Sequence, residues 1–344
     1  MKGFGFRAHG DCSNMEILDF PMPTPGPGEV LVELKASAFN HLDIWVCKGW
    51  PGLKLALPHI SGSDGAGIVS KLGEQVNTVS IGQRVAINPG INAIEDEFTE
   101  RGEQSVSPGF QILGEQLPGT HTEYVSVPAK NLIVIPHEIS FVEAAAAGLV
   151  SLTAWRMLIH RAKIKPGQRV LIHGAGGGVN SISIQIAKYA GCTVYATTSS
   201  PQKMKQAMQL GAHSVVNYKD DLTWEKKLFE STQKMGFDVV VDNVGRATLA
   251  SSLRLVKRGG CIVIVGNTQG PLTELDIRYL FSKQISLLGS TMGNQNDYRE
   301  AMKLIFNKKL KIPIYQEFPL EEGNKAIKLL EHGKQFGKIV LTRR

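Results

Sequence analysis

Two textures of apolar and polar positions alternate along the chain. Up to about residue 130, short runs of β-type residues are separated by turn signals such as Pro25-Gly-Pro-Gly28 and Ile81-Gly-Gln83. The runs are Val30–Leu34, Ala66–Val69, Arg84–Ile87 and Tyr124–Val127. Many short strands with that punctuation predict a small, barrel-like β domain. From about 131 to 290, apolar runs at Arg169–His173, Thr193–Thr197, Ser214–Val216, Phe237–Asp242, Cys261–Val265 and Ile285–Leu288 alternate with helical stretches such as Ser181–Ala190 and Lys203–Leu210. Buried strands alternating with helices predict a parallel, doubly wound sheet. A mixed tail over 291–344 holds amphipathic stretches at Asn296–Asn307 and Glu321–His332 and a strand at Gly337–Leu341. The predicted fold class is α/β, with a β domain over 1–130, a doubly wound domain over 131–290, and a closing segment over 291–344.

Composition narrows the function classes. The 344 residues are 42% hydrophobic and 20% charged, enough apolar surface for a sizeable core and the wrong balance for disorder. The formal charge of +7 favours anionic ligands. The cations are spread along the chain, so a phosphate-bearing cofactor is a more economical partner than a nucleic acid. Cys12, Cys47, Cys192 and Cys261 are far apart and form no C-x-x-C, which argues against a disulfide framework or a cysteine zinc site and fits a reducing cytosol. Met1–Asp11 has no apolar core of signal-peptide length, and the weakly charged stretch Phe141–Trp155 falls short of the ~20 residues of a membrane span. The expected setting is therefore cytoplasmic and the expected partner a small molecule.

The strand ending at His173 runs into Gly174-Ala-Gly-Gly-Gly-Val-Asn180 and then a helix. In that context glycines let backbone N–H groups approach a pyrophosphate, and the helix N-terminus adds partial positive charge. The pattern departs from G-x-G-x-x-G at its sixth position, Val179. At the end of the next strand, where an acid would bond a ribose 2′-hydroxyl, the chain reads Ala196-Thr-Thr-Ser-Ser200 followed by Lys203. Thr198, Ser199 and Lys203 there suit a 2′-phosphate, so NADPH is favoured over NADH. The competing reading of Lys203 is an ordinary exposed helix residue.

At this point the chain resembles the medium-chain dehydrogenase/reductase superfamily, the zinc alcohol dehydrogenase and quinone oxidoreductase group. The resemblance is carried by Pro25-Gly-Pro-Gly-Glu-Val30, Asn40-His-Leu-Asp43, Gly62-Ser-Asp-Gly-Ala-Gly67, Gly82-Gln-Arg-Val85, Leu152-Thr-Ala-Trp155, the glycine turn, Leu210-Gly-Ala212, Asp242-Asn-Val-Gly245 and Phe336-Gly-Lys-Ile-Val340. It implies a GroES-like barrel domain, a Rossmann cofactor domain, a C-terminal segment returning to the first domain, and an active site in the cleft. It also implies cofactor contacts at Thr153, Gly177, Gly178, Val179, Lys203, Tyr218, Asn243, Gly266, Asn267 and Lys338, with Asn180 replacing a usual small residue. A homodimer joined near Ile285–Gly289 is a further implication.

The family's catalytic zinc positions fall on Asn40, Ser63 with its acidic neighbour Asp64, and Leu149. Its structural zinc positions fall on Ala93, Asp96, Thr99 and Ser107. Amide, hydroxyl and alkyl groups do not replace thiolate and imidazole, so no metal is expected. Asp96 and its acidic neighbours Glu95, Glu97 and Glu100 are expected simply to face water. Without a Lewis acid, dehydrogenating a plain alcohol is hard, whereas a quinone or an α,β-unsaturated carbonyl accepts hydride if donors stabilise the developing oxyanion. Asn40 would offer an amide donor, or alternatively stabilise a turn. Asp43 is expected to hold the loop or a cationic neighbour rather than act in acid–base chemistry. Trp45 stands where relatives often carry a tyrosine, leaving the proton donor open, and Trp50 joins it as a candidate pocket wall or simple core. The favoured function is a zinc-independent, NADPH-dependent quinone or enone reductase. The alternatives are an NADPH-binding redox sensor or nucleic-acid-associated protein with little turnover, and an alcohol dehydrogenase-like enzyme.

Overall fold

The computed structural model describes residues 1–343. It divides into two compact units, residues 1–152 together with the chain from Gly293 onward, and residues 153–292. The change of texture near residue 130 is thus not the unit boundary. Leu132–Val134 pairs antiparallel with Arg84–Ile87, which keeps the following segment with the first unit.

The first unit is built on a seven-stranded sheet whose central strand is Glu29–Ala38. That strand alternates against two partners at its C-terminal end. Asp64–Leu72 runs antiparallel on one side, with Ala38 opposite Asp64. Lys338–Thr342 runs antiparallel on the other, with Ala38 opposite Val340. The last strand of the chain is therefore built into the sheet of the first. Val30, Val32, Leu34, Val69, Val85, Ile87, Val125 and Val127 point into one buried cluster, the period-2 alternation of strands packed on one face. A second cluster, with Phe4, Phe6, Phe39, Ile44 and Val46, includes Ile327, Leu330 and Leu341 from the closing segment.

The second unit carries six parallel strands in the order Ser214–Asn217, Thr193–Thr198, Arg169–Ile172, Phe237–Val241, Val256–Ile264 and Ser286–Gly289. The order reverses between Arg169–Ile172 and Phe237–Val241, and ligands of such sheets bind beyond the carboxyl ends of the strands at that point. Each sequence-predicted strand of this unit is present. The apolar stretch from Phe141 continues to Arg161, a helix long and apolar enough by length and composition to cross a membrane, but 78% of its apolar window is buried inside the protein. It is a core helix, whose run of small residues Ala144–Ala147 is fully enclosed.

Candidate active and cofactor sites

In the first unit the sheet register places three polar side chains together at the end of the central strand. The helix His41–Lys48 begins at the N-cap Asn40. The Asn40 side-chain Nδ2 donates to Asp64 Oδ2 at 2.9 Å. Lys338 Nζ donates to Asn40 Oδ1 at 2.5 Å and to Asp64 Oδ2 at 2.9 Å. Asp64 Oδ1 accepts the backbone N–H of Leu149 at 2.6 Å. Asp64 is 0% exposed, Lys338 3% and Asn40 7%. A buried ion pair is tolerated when the remaining donors and acceptors are satisfied, as Asp64 is here. Gly337 permits this arrangement: its φ is +93°, and a Cβ there would lie 2.2 Å from the carbonyl of Pro313.

Asp43 sits behind this cluster. Its Oδ2 accepts the backbone N–H of Asn40 at 2.7 Å and its Oδ1 that of Gly62 at 2.9 Å, so it holds the loop. Burial pushes its carboxyl up to about 7, against the opposing pull of those two N–H groups and of the Lys338 charge. His121 Nε2 lies 4.0 Å from Asp43 Oδ2. Arg343 Nη1 donates to Ser37 Oγ at 2.9 Å, and Ser37 Oγ lies 2.8 Å from His121 Nδ1. His121 Nε2 is buried with no hydrogen-bond partner among the described residues. Burial, with Arg343 and Lys338 adding to it, keeps that imidazole neutral. His41 is likewise pushed down to about 4 by burial and by the Lys338 charge. Sequence reasoning singled out Asn40 and Asp43 but not Ser37, His121 or Tyr298. The last is buried, its phenol without a partner among the described residues and raised well above its ordinary pKa by burial and the Asp64 charge.

Trp45 lies on the same helix, its ring 6.3 Å from that of His41. Trp50 follows the helix and is 40% exposed, too open for simple core packing. Lys338, expected among the cofactor contacts, has its ammonium bonded to Asn40 and Asp64.

The residues at the inferred metal positions do converge, but their chemistry does not fit a metal. An amide, a hydroxyl, an alkyl side chain and one carboxylate already held by three donors offer neither thiolate nor imidazole. No group of three or more His, Cys, Asp or Glu side chains among the described residues is placed to hold a metal ion. The lobe that would carry the second metal is closed by hydrogen bonds between the substituted positions. Asp96 Oδ1 accepts the N–H groups of Phe98 and Thr99, and Asp96 Oδ2 accepts Ser107 Oγ at 2.7 Å. Asp96 therefore does not merely face water, in contrast to the exposed Glu95, Glu97 and Glu100.

In the second unit the strand Arg169–Ile172 leads through the glycine turn into the helix Gly178–Tyr189. The N-cap is Gly177 and no side chain caps the helix, so its first N–H groups are left for a ligand. A Cβ built on Gly174 or Gly177 would meet no protein atom closer than 3.6 Å, so the turn opens onto free space. Both observations fit a pyrophosphate beside Gly177, Gly178 and Val179. Asn180 closes the turn from inside: its Nδ2 donates to the carbonyls of His173 and Gly174 at 2.7 and 2.9 Å. Its Oδ1 accepts Asn243 Nδ2 at 2.6 Å. The amide of Asn243 is thus engaged in joining two strand-end loops, and its Oδ1 accepts the N–H of Val265 just before Gly266. Asn267 packs against Gly245. Asp242, fully buried, anchors the second loop by accepting from Val244, Gly245, Thr248 and Ser252.

At the end of the second strand Thr198 is buried and Ser199 half-buried. Ser200 caps the next helix by accepting the N–H of Lys203. Burial, with the Lys219 charge adding to it, pushes the Lys203 ammonium below its ordinary pKa. Tyr218, 41% exposed, follows Asn217, and its N–H donates to the carbonyl of Thr198. Thr153 is buried, its hydroxyl 4.0 Å from Met292 Sδ.

Residues 26–137 match the alcohol dehydrogenase GroES-like domain and residues 178–307 the zinc-binding dehydrogenase family. The chain is 32% identical over 335 residues to a zinc-type alcohol dehydrogenase-like protein, YogA, of Leptosphaeria maculans, covering 93% of this chain and 92% of that one. It is 29% identical to a quinone oxidoreductase of Mus musculus over 94% of this chain and 92% of the other. Among solved structures, an NAD-dependent alcohol dehydrogenase superposes with a TM-score of 0.96 at 40% identity, covering 100% of both chains.

Proposed function

The chain belongs to the medium-chain dehydrogenase/reductase superfamily, and on that premise we propose that it is a zinc-independent reductase transferring hydride from NADPH to a quinone or an α,β-unsaturated carbonyl. The observation that carries the reading is the cluster of Asn40, Asp64 and Lys338, which holds N–H donors where the resemblance places the family's catalytic zinc. NADPH supplies the hydride when bound. The protein's part is to hold the acceptor's carbonyl against donors that strengthen their bonds as negative charge builds on oxygen. Asp43 keeps Asn40 in register by accepting its backbone N–H, and the buried Asp64 fixes both the amide and the ammonium. Trp45 and Trp50 would flank the acceptor with apolar surface. Thr198, Ser199, Lys203 and Tyr218 would receive the adenosine end of the cofactor. The two neighbouring cations Lys203 and Lys219 favour a 2′-phosphate there. We further propose a homodimer through the edge strand Ser286–Gly289, beside which Ile277, Phe281 and Leu287 are exposed apolar residues.

A second reading is an alcohol dehydrogenase using NAD, favoured by the name of the structure that superposes at 0.96. Steady-state oxidation of NADPH and NADH with a panel of quinones and enones, beside reduction of NAD and NADP by simple alcohols, separates the two. Enone or quinone reduction that prefers NADPH supports the first. Alcohol oxidation with NAD and no enone turnover supports the second, and cofactor binding without turnover of any acceptor supports a sensor.

A further inference from the structure

We propose that Cys12 and Cys47 are a redox modification site, a thiol pair that closes reversibly to a disulfide and so ties an exposed loop to the helix His41–Lys48. The proposal does not rest on the reductase reading. The loop after the first strand, Lys2–Phe6, already lies on the C-terminal turn of that helix. Gly10 donates its N–H to the carbonyl of Cys47 at 2.9 Å, and His9 Nδ1 lies 2.9 Å from the carbonyl of Val46. The short turn Cys12–Asn14 then brings Cys12 Sγ to 3.7 Å from the carbonyl of Ile44, to which it donates. Cys47 stands three residues beyond Ile44, on the same face of the helix. The two thiols meet there and share a hydrogen bond. Both are free, both belong to one apolar cluster, and they are 0% and 1% exposed. Turning their contact into a bond asks for an approach of the sulfurs to about 2 Å, with one partner on a short turn that can give.

The pair is asymmetric. The hydrogen bond from Cys47 lowers the Cys12 thiol below its ordinary pKa, against burial, while the same bond and burial together push Cys47 up. Access points the same way. Cys12 is covered by the packing of its own turn, around which Arg7–Asp11, Ser13 and Asn14 are all exposed. A short exposed turn opens locally while Cys47 stays on its helix. Cys12 is therefore the thiol that reacts first, and Cys47 the one that resolves. With hydrogen peroxide as the oxidant, the Cys12 sulfur attacks the O–O bond, keeps one oxygen as a sulfenic acid and releases the other as water. The Cys47 sulfur then attacks the Cys12 sulfur. The S–S bond forms, the S–O bond breaks, and the departing hydroxide takes the Cys47 proton as a second water. Two thiols and one peroxide give one disulfide and two waters, and a dithiol reductant reverses the change. The cysteines of the second unit are placed differently. Cys192 donates to the carbonyl of Lys165 at 3.3 Å, and burial pushes Cys261 up to about 11.

The test exposes the full chain to hydrogen peroxide, then alkylates remaining thiols under denaturing conditions, digests with trypsin and maps the peptides by mass spectrometry without reductant. The expected product joins residues 8–35 to residues 36–48, lighter than the two peptides by two hydrogens, and disappears on treatment with dithiothreitol. Cys261, though more exposed than either thiol, should remain alkylatable while the link forms. Oxidation of Cys261 before any 8–35/36–48 product, or Cys12 and Cys47 both recovered as thiols throughout, overturns the site. Two variants test the order. Cys47→Ser should accumulate a Cys12 sulfenic acid that dimedone traps, and Cys12→Ser should leave Cys47 a thiol. Trapping of Cys47 in Cys12→Ser at the rate seen for Cys12 in Cys47→Ser overturns that assignment. Hydrogen exchange reads the consequence for the fold: residues 7–14 should exchange at least about 3-fold more slowly in the linked protein than in the reduced one. Equal exchange in the two forms overturns the bracing of the loop.

Discussion

Lys338 and Asp64 form a fully buried ion pair, 2.9 Å from nitrogen to oxygen, between residues 274 apart in sequence. The pair exists because Ala38 is flanked by Asp64 on one strand and by Val340 on the other, so the end of the chain closes the site begun near its start. Breaking such a pair by removing one partner leaves a buried charge uncompensated. Asp64→Ala should destabilise the protein by about 3–5 kcal/mol, and Asp64→Asn/Lys338→Met by clearly less than the sum of the single changes. Urea unfolding measures both; a loss under about 1 kcal/mol for Asp64→Ala would mean that the charges are solvated rather than paired.

Asp43 carries a pH signature. Its carboxyl is held near 7 in the folded protein, against about 3.9 when unfolded. A raised carboxyl contributes relative stability that is complete below the unfolded value and is lost as pH rises through the folded one. Wild type should therefore lose about 2–3 kcal/mol relative to Asp43→Asn between pH 5 and pH 8. Unfolding curves of the two proteins at both pH values check this. A constant difference between them would show that Asp43 ionises as an ordinary surface acid.

The lobe around Asp96 should behave as a hydrogen-bonded unit. Asp96→Ala removes a helix cap and the acceptor of Ser107, and is expected to loosen the lobe locally. Hydrogen exchange over residues 93–109 should accelerate while the strands of the second unit stay protected. Unchanged exchange there would assign the lobe's stability to packing alone.

Lys203 should decide between the two nicotinamide cofactors. Lys203→Ala is expected to raise the KM for NADPH about 10-fold, close to 1.4 kcal/mol, and to leave that for NADH within about 2-fold. Equal effects on both cofactors would place the lysine away from any 2′-phosphate.

Much of this architecture is legible in the linear chain. The period-2 run of Val30–Leu34 and the apolar strands flanking the glycine turn specify their own environment, so strands and cofactor turn follow from local pattern. Asn40 and Asp43 are legible because their N-x-x-D spacing is also local, and the capping geometry realises it within one helical turn. Lys338 is visible only as part of the Phe336–Val340 motif. Its partnership depends on sheet register between distant segments, which no local pattern encodes. His121 and Ser37 are hidden for the same reason, being joined across 84 residues. The unit division falls at 152 rather than near 130, with the short strand Leu132–Val134 still pairing in the first unit's sheet. Asp96 looks like one more surface acid until Ser107 is seen folded back onto it.

The central claim is hydride transfer from a phosphorylated nicotinamide nucleotide without a metal. Its most direct measurement is NADPH-dependent reduction of an enone or quinone by protein dialysed against a strong chelator, with zinc counted by mass spectrometry in the same sample. The account predicts full turnover at well under about 0.1 zinc per chain, since the site holds none of the thiolate or imidazole ligands zinc requires. Near-stoichiometric zinc, with activity lost on chelation and restored by adding the metal back, would contradict it.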